Sequence, residues 1–327
     1  MNVVVLAGGV GGSRFLTGMR AHLREAHPDA SLTAVVNTGD DLWLAGLRIT
    51  PDLDTIMYTL AGINDTERGW GRVGETERVS GELREWGVGW PWFTLGDLDV
   101  SASIARSAWL RGGVPLHEVV ERLTARWPLG ARLLPATDDE VETHVIVDDP
   151  DHPGTRLELH FQEWWTRYRA ALPALAFPQR GIETATAAPG VLEAIATADV
   201  VVLGPSNPVV SIGTILNIPG LRDAVRSTPA PVIGVSPIIG GAVVRGMADA
   251  CLTAIGVETD AAAVARHYAS RAAGGLLDGW LVDTVDADAV AGLAVDRIET
   301  RAVPLWMRDE PLSAAIAGAA LELAGSL

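Results

Sequence analysis

Four aspartates stand close together near the start of the chain, in an otherwise mostly apolar segment, NTGDDLWLAGLRITPDLDTIMYTLAG (residues 37–62). They are Asp40, Asp41, Asp52 and Asp54. A glycine-rich stretch, LAGGVGGSRF (residues 6–15), precedes them at the end of a β-branched run. Mg²⁺ commonly takes its oxygen ligands from one or two carboxylates and from substrate phosphates. The combination therefore predicts metal-assisted chemistry on a phosphorylated substrate.

The glycine-rich stretch is typical of a strand-to-helix turn that binds an anion. Glycines let backbone N–H groups approach a phosphate, and the N-terminus of the following helix adds its dipole. The spacing is neither G-x-G-x-x-G nor a stretch ending in GK[ST], which argues against dinucleotide binding and against a Walker loop. We predict substrate contacts here from Gly8, Gly9, Gly12 and Ser13. A tight turn without a ligand is the alternative.

Only some of the four aspartates are expected to reach the site. Adjacent side chains project in different directions, so one of Asp40 and Asp41 should face the ligand. A helix begins close to Asp52 and Asp54, and either could be its N-cap, an alternative that weighs more for Asp52. We therefore predict that Asp40 and Asp54 form the metal-binding and catalytic pair. Asp54 is also predicted to lie near the hydroxyl group that attacks the phosphorylated substrate. Asn37 and Asp41 are predicted to contact substrate.

Two later turns are similar to each other and follow predicted strands: GPSNP (204–208) and VSPIIGG (235–241). Their neutral side chains are suited to hydrogen-bond a phosphate or the edge of a nucleobase. The alternative is that these residues only form the turns. The residues predicted to contact substrate there are Gly204, Ser206, Asn207 and Ser236. Arg245, just past the second turn, is suited to bind a phosphate through two hydrogen bonds.

The segment WFTLGDLDVSASIARS (92–107) adds two aspartates, Asp97 and Asp99, and the basic residue Arg106. Its aromatic pair is suited to stack on a flat heterocycle, with core packing as the alternative. The residues predicted to contact substrate in this segment are Thr94 and Asp97. Further candidates for the cleft wall are Thr143, His144 and Gln162. The seven histidines show no metal-binding spacing.

Composition excludes several classes of function. The formal charge of −16 and the pI of about 4.8 argue against a broad surface for nucleic acid or for an acidic membrane. The absence of Lys excludes a Walker-A lysine and a Schiff base to pyridoxal phosphate. The single cysteine, Cys251, excludes an internal disulfide and is expected to be buried. Lacking a signal peptide and a long apolar run, the sequence predicts a soluble cytoplasmic protein.

The order of elements predicts an α/β fold. A strand over residues 2–9, a helix over 15–25 and a strand over 31–36 form a βαβ opening. After residue 190, strand and helix patterns alternate again, which predicts parallel strands whose C-terminal loops face one crevice. We predict a Rossmann-like parallel sheet formed by residues 1–66 and 186–327. Residues 67–185 are predicted as a largely helical, Trp-rich insertion that includes a β-hairpin.

Eight segments in this order resemble the 2-phospho-L-lactate transferase family, which acts in biosynthesis of the deazaflavin coenzyme F-420. They are AGGVGGSRFL, VVNTGDDLWLAGLRITPDLDTIMYTLAG, GWG (69–71), WFTLGD, LLPATDDEVETHV, HFQEWW, GPSNPVVSIG and VSPIIGG. The stretches RLLPATDD and HFQEWWTRYRA are most similar to actinobacterial members, which are associated with a phosphoenolpyruvate-derived donor.

The resemblance implies a Mg²⁺-dependent transferase that is homodimeric with a Rossmann-like core. Its donor is a three-carbon acid (a phosphoenolpyruvate, phospholactate or phosphoglycerate moiety) activated by guanosine diphosphate. Its acceptor is the terminal hydroxyl of the ribityl chain of 7,8-didemethyl-8-hydroxy-5-deazariboflavin, and GMP is released. By the same resemblance, Asp40 binds the metal, Asp54 lies beside it at the deazaflavin, and the turn with Ser206 and Asn207 belongs to the nucleotide side.

The segment LGDLDVSAS (95–103) departs from the usual family pattern LGDRD-x-A-T-H. Leu98 replaces its arginine and Ser103 its histidine. This loss supports a second hypothesis, a nucleotide-binding sensor on the same fold that catalyses no reaction. A dinucleotide-dependent oxidoreductase is disfavoured by the loop spacing and by Asn37, which stands first after the second strand where an acidic residue is expected.

Overall fold

The computed structural model describes residues 1–327. Its strands are β1 (Asn2–Ala7), β2 (Ser31–Val36), β3 (Leu42–Leu44), β4 (Leu47–Ile49), β5 (Arg132–Pro135), β6 (Glu142–Asp148), β7 (Arg156–His160), β8 (Ala174–Ala176), β9 (Gln179–Arg180), β10 (Val200–Leu203), β11 (Val232–Val235), β12 (Ile238–Ile239), β13 (Ala242–Val243), β14 (Gly279–Val282) and β15 (Glu299–Ala302). Its α-helices are α1 (Gly9–Ala26), α2 (Pro51–Ala61), α3 (Arg78–Glu85), α4 (Asp97–Arg111), α5 (Leu116–Thr124), α6 (Val191–Ala196), α7 (Ile212–Asn217), α8 (Leu221–Ser227), α9 (Ala248–Ala254), α10 (Ala261–Tyr268), α11 (Ala289–Val295) and α12 (Glu310–Ala324).

A seven-stranded sheet in the order β15-β14-β11-β10-β1-β2-β5 forms the centre of the molecule, and every neighbouring pair is parallel. In β1, Val3 and Val5 belong to the core on one face, while Val4 and Leu6 belong to the core on the other. Helices cover both faces of a parallel sheet, so its strands are continuous apolar runs. The predicted α/β fold with a Rossmann-like parallel sheet is confirmed.

The range predicted as an insertion, 67–185, contains the expected helices and hairpin. α3, α4 and α5 form its helical part, and β6 pairs antiparallel with β7, with His144 opposite His160. The same range also supplies β5, which extends the central sheet by pairing with β2 through residues such as Thr33 and Arg132. The predicted boundaries therefore do not separate the sheet from the insertion. A four-residue strand that pairs with a distant part of the chain has too short a pattern to show this from sequence.

α1 begins inside the glycine-rich stretch, six residues before the predicted start at Phe15. Gly8 is its N-cap in an extended conformation, and the helix runs from Gly9. A Cβ on Gly11 would lie 2.3 Å from the carbonyl oxygen of Pro205. Only glycine at this position lets the first turn of the helix pack against the turn after β10.

Four strand ends meet at one edge of the sheet, where a ligand site is expected. The strands β11, β10, β1 and β2 are neighbours, and the residues that follow them are Ser236, Gly204, Gly8 and Asn37. Because the strands are parallel, these residues lie at the same carboxyl edge, and the strand order reverses at β1.

The acidic segment follows β2. It forms first the small hairpin of β3 and β4, which the sequence periodicity did not indicate, and then α2. No helix is both long and apolar enough to span a membrane.

Candidate active site

A cleft follows this edge of the sheet and divides into three adjoining hollows. The central hollow, about 600 Å³, lies against the start of α1 and the turns after β10 and β11. The aromatic hollow, about 560 Å³, lies between α2 and the segment before α4. The polar hollow, about 430 Å³, is lined by α1, α2 and the segment before α12. Thr55 and Trp70 line all three hollows, so the cleft is continuous.

Two carboxylates meet in the central hollow. Asp40 follows β2, Asp52 lies in the first turn of α2, and each is 6% exposed. The side-chain amide of Asn37 donates to Asp40 Oδ1 (3.2 Å) and to Asp52 Oδ2 (2.9 Å). Burial raises the pKa of Asp52 to about 6. Burial, and then the charge of Asp52, raises the pKa of Asp40 well above its ordinary value. The structure thus joins two carboxylates that repel each other when both are ionised.

Asp54 lines the aromatic hollow instead, although it lies only two residues after Asp52. Its Oδ1 accepts a hydrogen bond from the guanidinium of Arg106, and its Oδ2 accepts one from Thr50 Oγ1 at 3.3 Å. Arg106 is 1% exposed and also donates to the carbonyl oxygen of Arg48 at 3.0 Å. Burial raises the pKa of Asp54 and the Arg106 charge opposes that shift. The charge of Asp54 is therefore already matched within the protein.

The donor set at Asp40 and Asp52 fits the Mg²⁺ that the family resemblance implies. Two buried carboxylates with raised pKa values favour a cation beside them. Mg²⁺ commonly takes one or two carboxylates and completes its coordination with water and phosphate oxygens. The predicted pairing of Asp40 with Asp54 is less suited, because Arg106 engages the Asp54 carboxylate. The metal role of Asp54 stays a prediction.

The turn after β10 is tied to the glycine-rich start of α1. Ser206 Oγ accepts from the N–H of Gly8 (3.0 Å) and donates to the carbonyl oxygen of Gly8 (2.8 Å). Gly8, Gly9 and Ser206 line the central hollow, and Ser13 lines the polar hollow. Gly12 lines none of the three hollows; a Cβ there would lie 2.7 Å from Ser206 Oγ, so its small size serves the packing of this turn.

Asn207 and Ser236 line the central hollow, but their side chains also stabilise their own turns. Asn207 Oδ1 accepts from the N–H of Val209 at 2.9 Å, and Ser236 Oγ donates to the carbonyl oxygen of Ile238 at 2.8 Å. Asn207 Nδ2 donates to the sulfur of Cys251 at 3.4 Å. That cysteine is buried as predicted, and burial raises its pKa to about 12. The neutral side chains predicted for ligand binding are therefore largely engaged within the protein.

The aromatic hollow contains the residues predicted to stack on a heterocycle. Trp92, Phe93, Thr94 and Trp165 line it. The rings of Trp90 and Trp92 stack with centroids 4.6 Å apart, and Phe93 meets Trp92 edge-on at 6.1 Å. Apolar walls beside a buried ion pair are suited to a flat ring that carries a polar side chain.

Several residues predicted to contact substrate or to line the cleft lie outside the three hollows. Those that line none of the three hollows are Gly12, Asn37, Asp41, Asp97, Thr143, His144 and Gly204. Asp41 is fully buried and lies 3.9 Å from Arg48 Nη2. Asp97 accepts from Thr76 Oγ1 and from the N–H of Val79, so it links α4 to α3. The N–H of Gly204 donates to the carbonyl oxygen of Leu6 (3.0 Å), which continues the sheet.

The structure also locates Gln162, Leu98 and Ser103. Gln162 lines the central and aromatic hollows, and its amide donates to Asp40 Oδ2 at 3.4 Å. Leu98 is 37% exposed and lines none of the three hollows. Ser103 is fully buried and accepts from Arg106 Nη1 at 3.4 Å. Neither Leu98 nor Ser103 lines the cleft, and Ser103 contacts Arg106, the ion-pair partner of Asp54.

The main residues that sequence reasoning missed are basic. Arg14 and Arg308 line the central and polar hollows together with Arg245, which was predicted to contact phosphate. Arg14 stands inside the glycine-rich stretch, so its helical position one turn from Gly11 was a usable signal. Arg308 has no such signal, because the fold alone brings the start of α12 to the cleft.

The fold and cleft place the protein among Rossmann-like α/β proteins that bind ligands at the reversal point of a parallel sheet. The family model of 2-phospho-L-lactate transferase CofD matches residues 3–303, and the chain belongs to this family. It is therefore a transferase by family.

Curated relatives cover nearly the whole chain. The chain is similar to the phosphoenolpyruvate transferase of Nocardia farcinica, with 55% identity over 99% of the chain and 95% of the relative. It is also similar to the phosphoenolpyruvate transferase of Streptomyces griseus, with 56% identity over 99% and 98%. The crystal structure of a UPF0052 family protein from Bacillus halodurans shares the fold with a TM-score of 0.61, 16% identity and 98% coverage of both chains.

Proposed function

We propose that the protein transfers a phosphorylated three-carbon acid from a guanosine-diphosphate-activated donor to a deazaflavin in coenzyme F-420 biosynthesis. The acceptor is the terminal ribityl hydroxyl of 7,8-didemethyl-8-hydroxy-5-deazariboflavin, and GMP leaves. The observation that carries this proposal is the pair of Asp40 and Asp52, which lies in a hollow continuous with an aromatic one. Family membership supports the reaction class.

The proposed acid is the phosphoenolpyruvate moiety. Its support is the name phosphoenolpyruvate transferase, which is carried by relatives that are 53–56% identical to this chain. Phospholactate and phosphoglycerate moieties remain the alternatives to be tested, because they differ from it only by a hydroxyl or a double bond. A homodimer is proposed from the family resemblance alone.

In the proposed reaction, the acceptor hydroxyl oxygen forms a bond to the phosphorus that carries the three-carbon acid. The bond from that phosphorus to the oxygen of the GMP phosphate breaks, so GMP leaves with that oxygen, and the hydroxyl proton passes to the Asp54 carboxylate. When bound at Asp40 and Asp52, Mg²⁺ supplies positive charge that offsets the charge growing on the leaving phosphate. Phosphoryl transfer depends mainly on such positioning and electrostatics.

The chain's own residues position both substrates. The ring of the acceptor stacks in the aromatic hollow beside Trp92 and Phe93, and its hydroxyl donates a hydrogen bond to Asp54. Arg106 holds that carboxylate in one orientation. The phosphates of the donor lie in the central hollow against the start of α1, where helical N–H groups and the helix dipole favour an anion.

Conversion of donor and acceptor, read by product mass, tests the proposal. We expect product and GMP only with Mg²⁺, and a fall in kcat/KM of about 100-fold or more for Asp40→Asn, because a metal ligand is lost. Asp29→Asn, in an exposed turn far from the cleft, is the matched control and should retain activity. Full turnover by Asp40→Asn would overturn the metal role. A competition among the three donors identifies the acid.

The nucleotide-binding sensor remains the competing hypothesis. Its support was the loss of a cation and an imidazole at Leu98 and Ser103, but neither residue lines the cleft. Tight binding of nucleotide with no product from any of the three donors would favour the sensor over the transferase.

A further inference from the structure

Three arginines from distant parts of the chain converge between the central and polar hollows. Arg14 lies in the second turn of α1, Arg245 lies between β13 and α9, and Arg308 comes just before α12. Each of them lines both hollows. The strand ends bring the first two together, and the packing of α12 beside α1 adds the third.

None of the three forms an ion pair. Arg14 Nη1 donates only to the carbonyl oxygen of Met307 (3.4 Å), and Arg245 Nη2 only to that of Gly69 (3.3 Å). The guanidinium of Arg308 lies 5.5 Å from the centre of the Trp306 ring. These contacts are long or neutral, so most guanidinium N–H groups remain free to bind a ligand.

The acidic residues of the polar hollow are engaged elsewhere. Asp309 accepts from the N–H of Leu312 (2.8 Å) and caps α12, while Glu310 lies 3.8 Å from Arg20 Nη2. Asp65 accepts from backbone N–H groups in its own turn. In a chain with a net charge of −16, the central hollow is lined by three arginines and by only two acidic residues, Asp40 and Asp52.

We propose that Arg14, Arg245 and Arg308 form an anion clamp that binds the phosphate groups of the donor. The proposal rests on the proposed function, which requires a ligand with adjacent phosphates in the central hollow. Guanidinium groups suit this ligand because each can donate two parallel hydrogen bonds to one phosphate. The nucleotide and the phosphorylated acid both present phosphate oxygens, so the experiment must distinguish these two sources.

The clamp and the acidic pair together determine which ligands suit the central hollow. The central hollow carries the Asp40 and Asp52 pair as well as the three arginines. A ligand with two phosphates can bind the metal at the acidic pair through one phosphate and the three arginines through the other. A neutral ligand can bind neither the metal nor the arginines in this way. The acidic pair alone would repel a donor, and the arginines overcome that repulsion.

Isothermal titration calorimetry on the full chain, in buffer with Mg²⁺, tests the clamp. The probes are inorganic pyrophosphate, GDP, phosphoenolpyruvate and the neutral nucleoside guanosine. The variants are Arg14→Met, Arg245→Met and Arg308→Met, since methionine keeps much of the apolar stem. Arg156→Met is the matched control, because Arg156 is exposed, forms no ion pair and lines none of the three hollows. The thermal midpoint of each variant checks that it is folded.

We expect each clamp variant to weaken pyrophosphate and GDP binding about tenfold, and the loss to shrink at high salt. Guanosine binding and the control should change less than about twofold. A loss seen for phosphoenolpyruvate but not for GDP would assign the clamp to the acid's phosphate and still support it. Unchanged binding of all phosphate probes, or an equal loss in Arg156→Met, would overturn it.

The clamp and the proposed function fail in different ways. If pyrophosphate binding depends on the arginines but the transfer assay yields no product, the clamp proposal is supported and the proposed transferase function is contradicted. If transfer is normal but phosphate binding does not depend on the arginines, the clamp proposal is contradicted and the transferase function is supported.

Discussion

The buried pair of Arg106 and Asp54 is an ion pair whose loss should be costly. Arg106→Met leaves the Asp54 carboxylate buried without its counter-charge, and we expect unfolding free energy to fall by about 3–5 kcal/mol. The double variant with Asp54→Asn should recover part of this loss, because no uncompensated charge remains. Urea unfolding of the two single variants and the double variant measures the coupling.

The control for this pair is an ion pair on the surface. Arg167 pairs with Glu163 one turn away on the chain, with its side chain 49% exposed. Arg167→Met should change stability far less than Arg106→Met, because the side chain of Arg167 is already half exposed to water. Equal effects of the two substitutions would show that the buried pair contributes nothing special.

At the residue scale, the sequence identified the acidic segment but not the direction of each side chain. Asp52 and Asp54 lie two positions apart on α2, and a helix turns about 200° over two residues. One therefore faces the central hollow and the other the aromatic hollow. The helical position of both residues was the available signal. The alternative that Asp52 or Asp54 caps α2 was wrong, because Thr50 occupies the N-cap.

At the scale of elements, the contact between α1 and α12 depends on a glycine. A Cβ on Gly18 would lie 2.2 Å from the backbone carbonyl carbon of Ser313. We expect Gly18→Ala to lower unfolding free energy by about 1–3 kcal/mol through overpacking, although alanine favours helices. Gly81→Ala in α3 is the control: a Cβ there meets nothing within 4 Å, so a gain of up to about 1 kcal/mol is expected. Urea unfolding compares the two; stabilisation by both substitutions would contradict the packing argument.

Elements with a local pattern were predictable, and elements defined by distant pairing were not. The βαβ opening, the hairpin of β6 and β7, and the amphipathic helices α4 and α5 each show their period within the segment itself. β5 has four residues and pairs with β2 across a long stretch of chain. The position of Arg308 likewise depends on where α12 packs.

At the scale of the whole molecule, several buried carboxylates share one region and make stability depend on pH. Burial raises the pKa of Asp52 to about 6, and burial with the charge of Asp54 raises that of Asp99 to about 7. A folded pKa above the unfolded value gives stability that is complete below about pH 4 and is lost as pH rises through the folded pKa. Without divalent cations, we therefore expect the contribution of these groups to fall between about pH 4 and pH 7.

Urea unfolding from pH 4.5 to 8 in the presence of EDTA measures this fall. Asp52→Asn and Asp99→Asn should each flatten the profile relative to the original chain, because an amide does not titrate. Added Mg²⁺ should oppose the fall at neutral pH. Asp149 and Glu142 have lowered pKa values in the folded protein. They contribute stability at pH values above their unfolded pKa, and this contribution is lost as the pH falls through their folded pKa. A profile that the two substitutions leave unchanged would contradict the prediction.

The position of β1 in the sheet has a consequence for how the chain folds as it is synthesised. β1 lies between β2 and β10, and Val3 pairs with Val200. Until β10 has been synthesised, one edge of β1 has no partner, and Ser206 cannot yet bond Gly8. A nascent protein with an apolar, unpaired strand edge is prone to aggregate, and pairings this distant in sequence form slowly. The edge of the sheet that borders the cleft is therefore completed only after the long stretch of chain between β2 and β10 has been made.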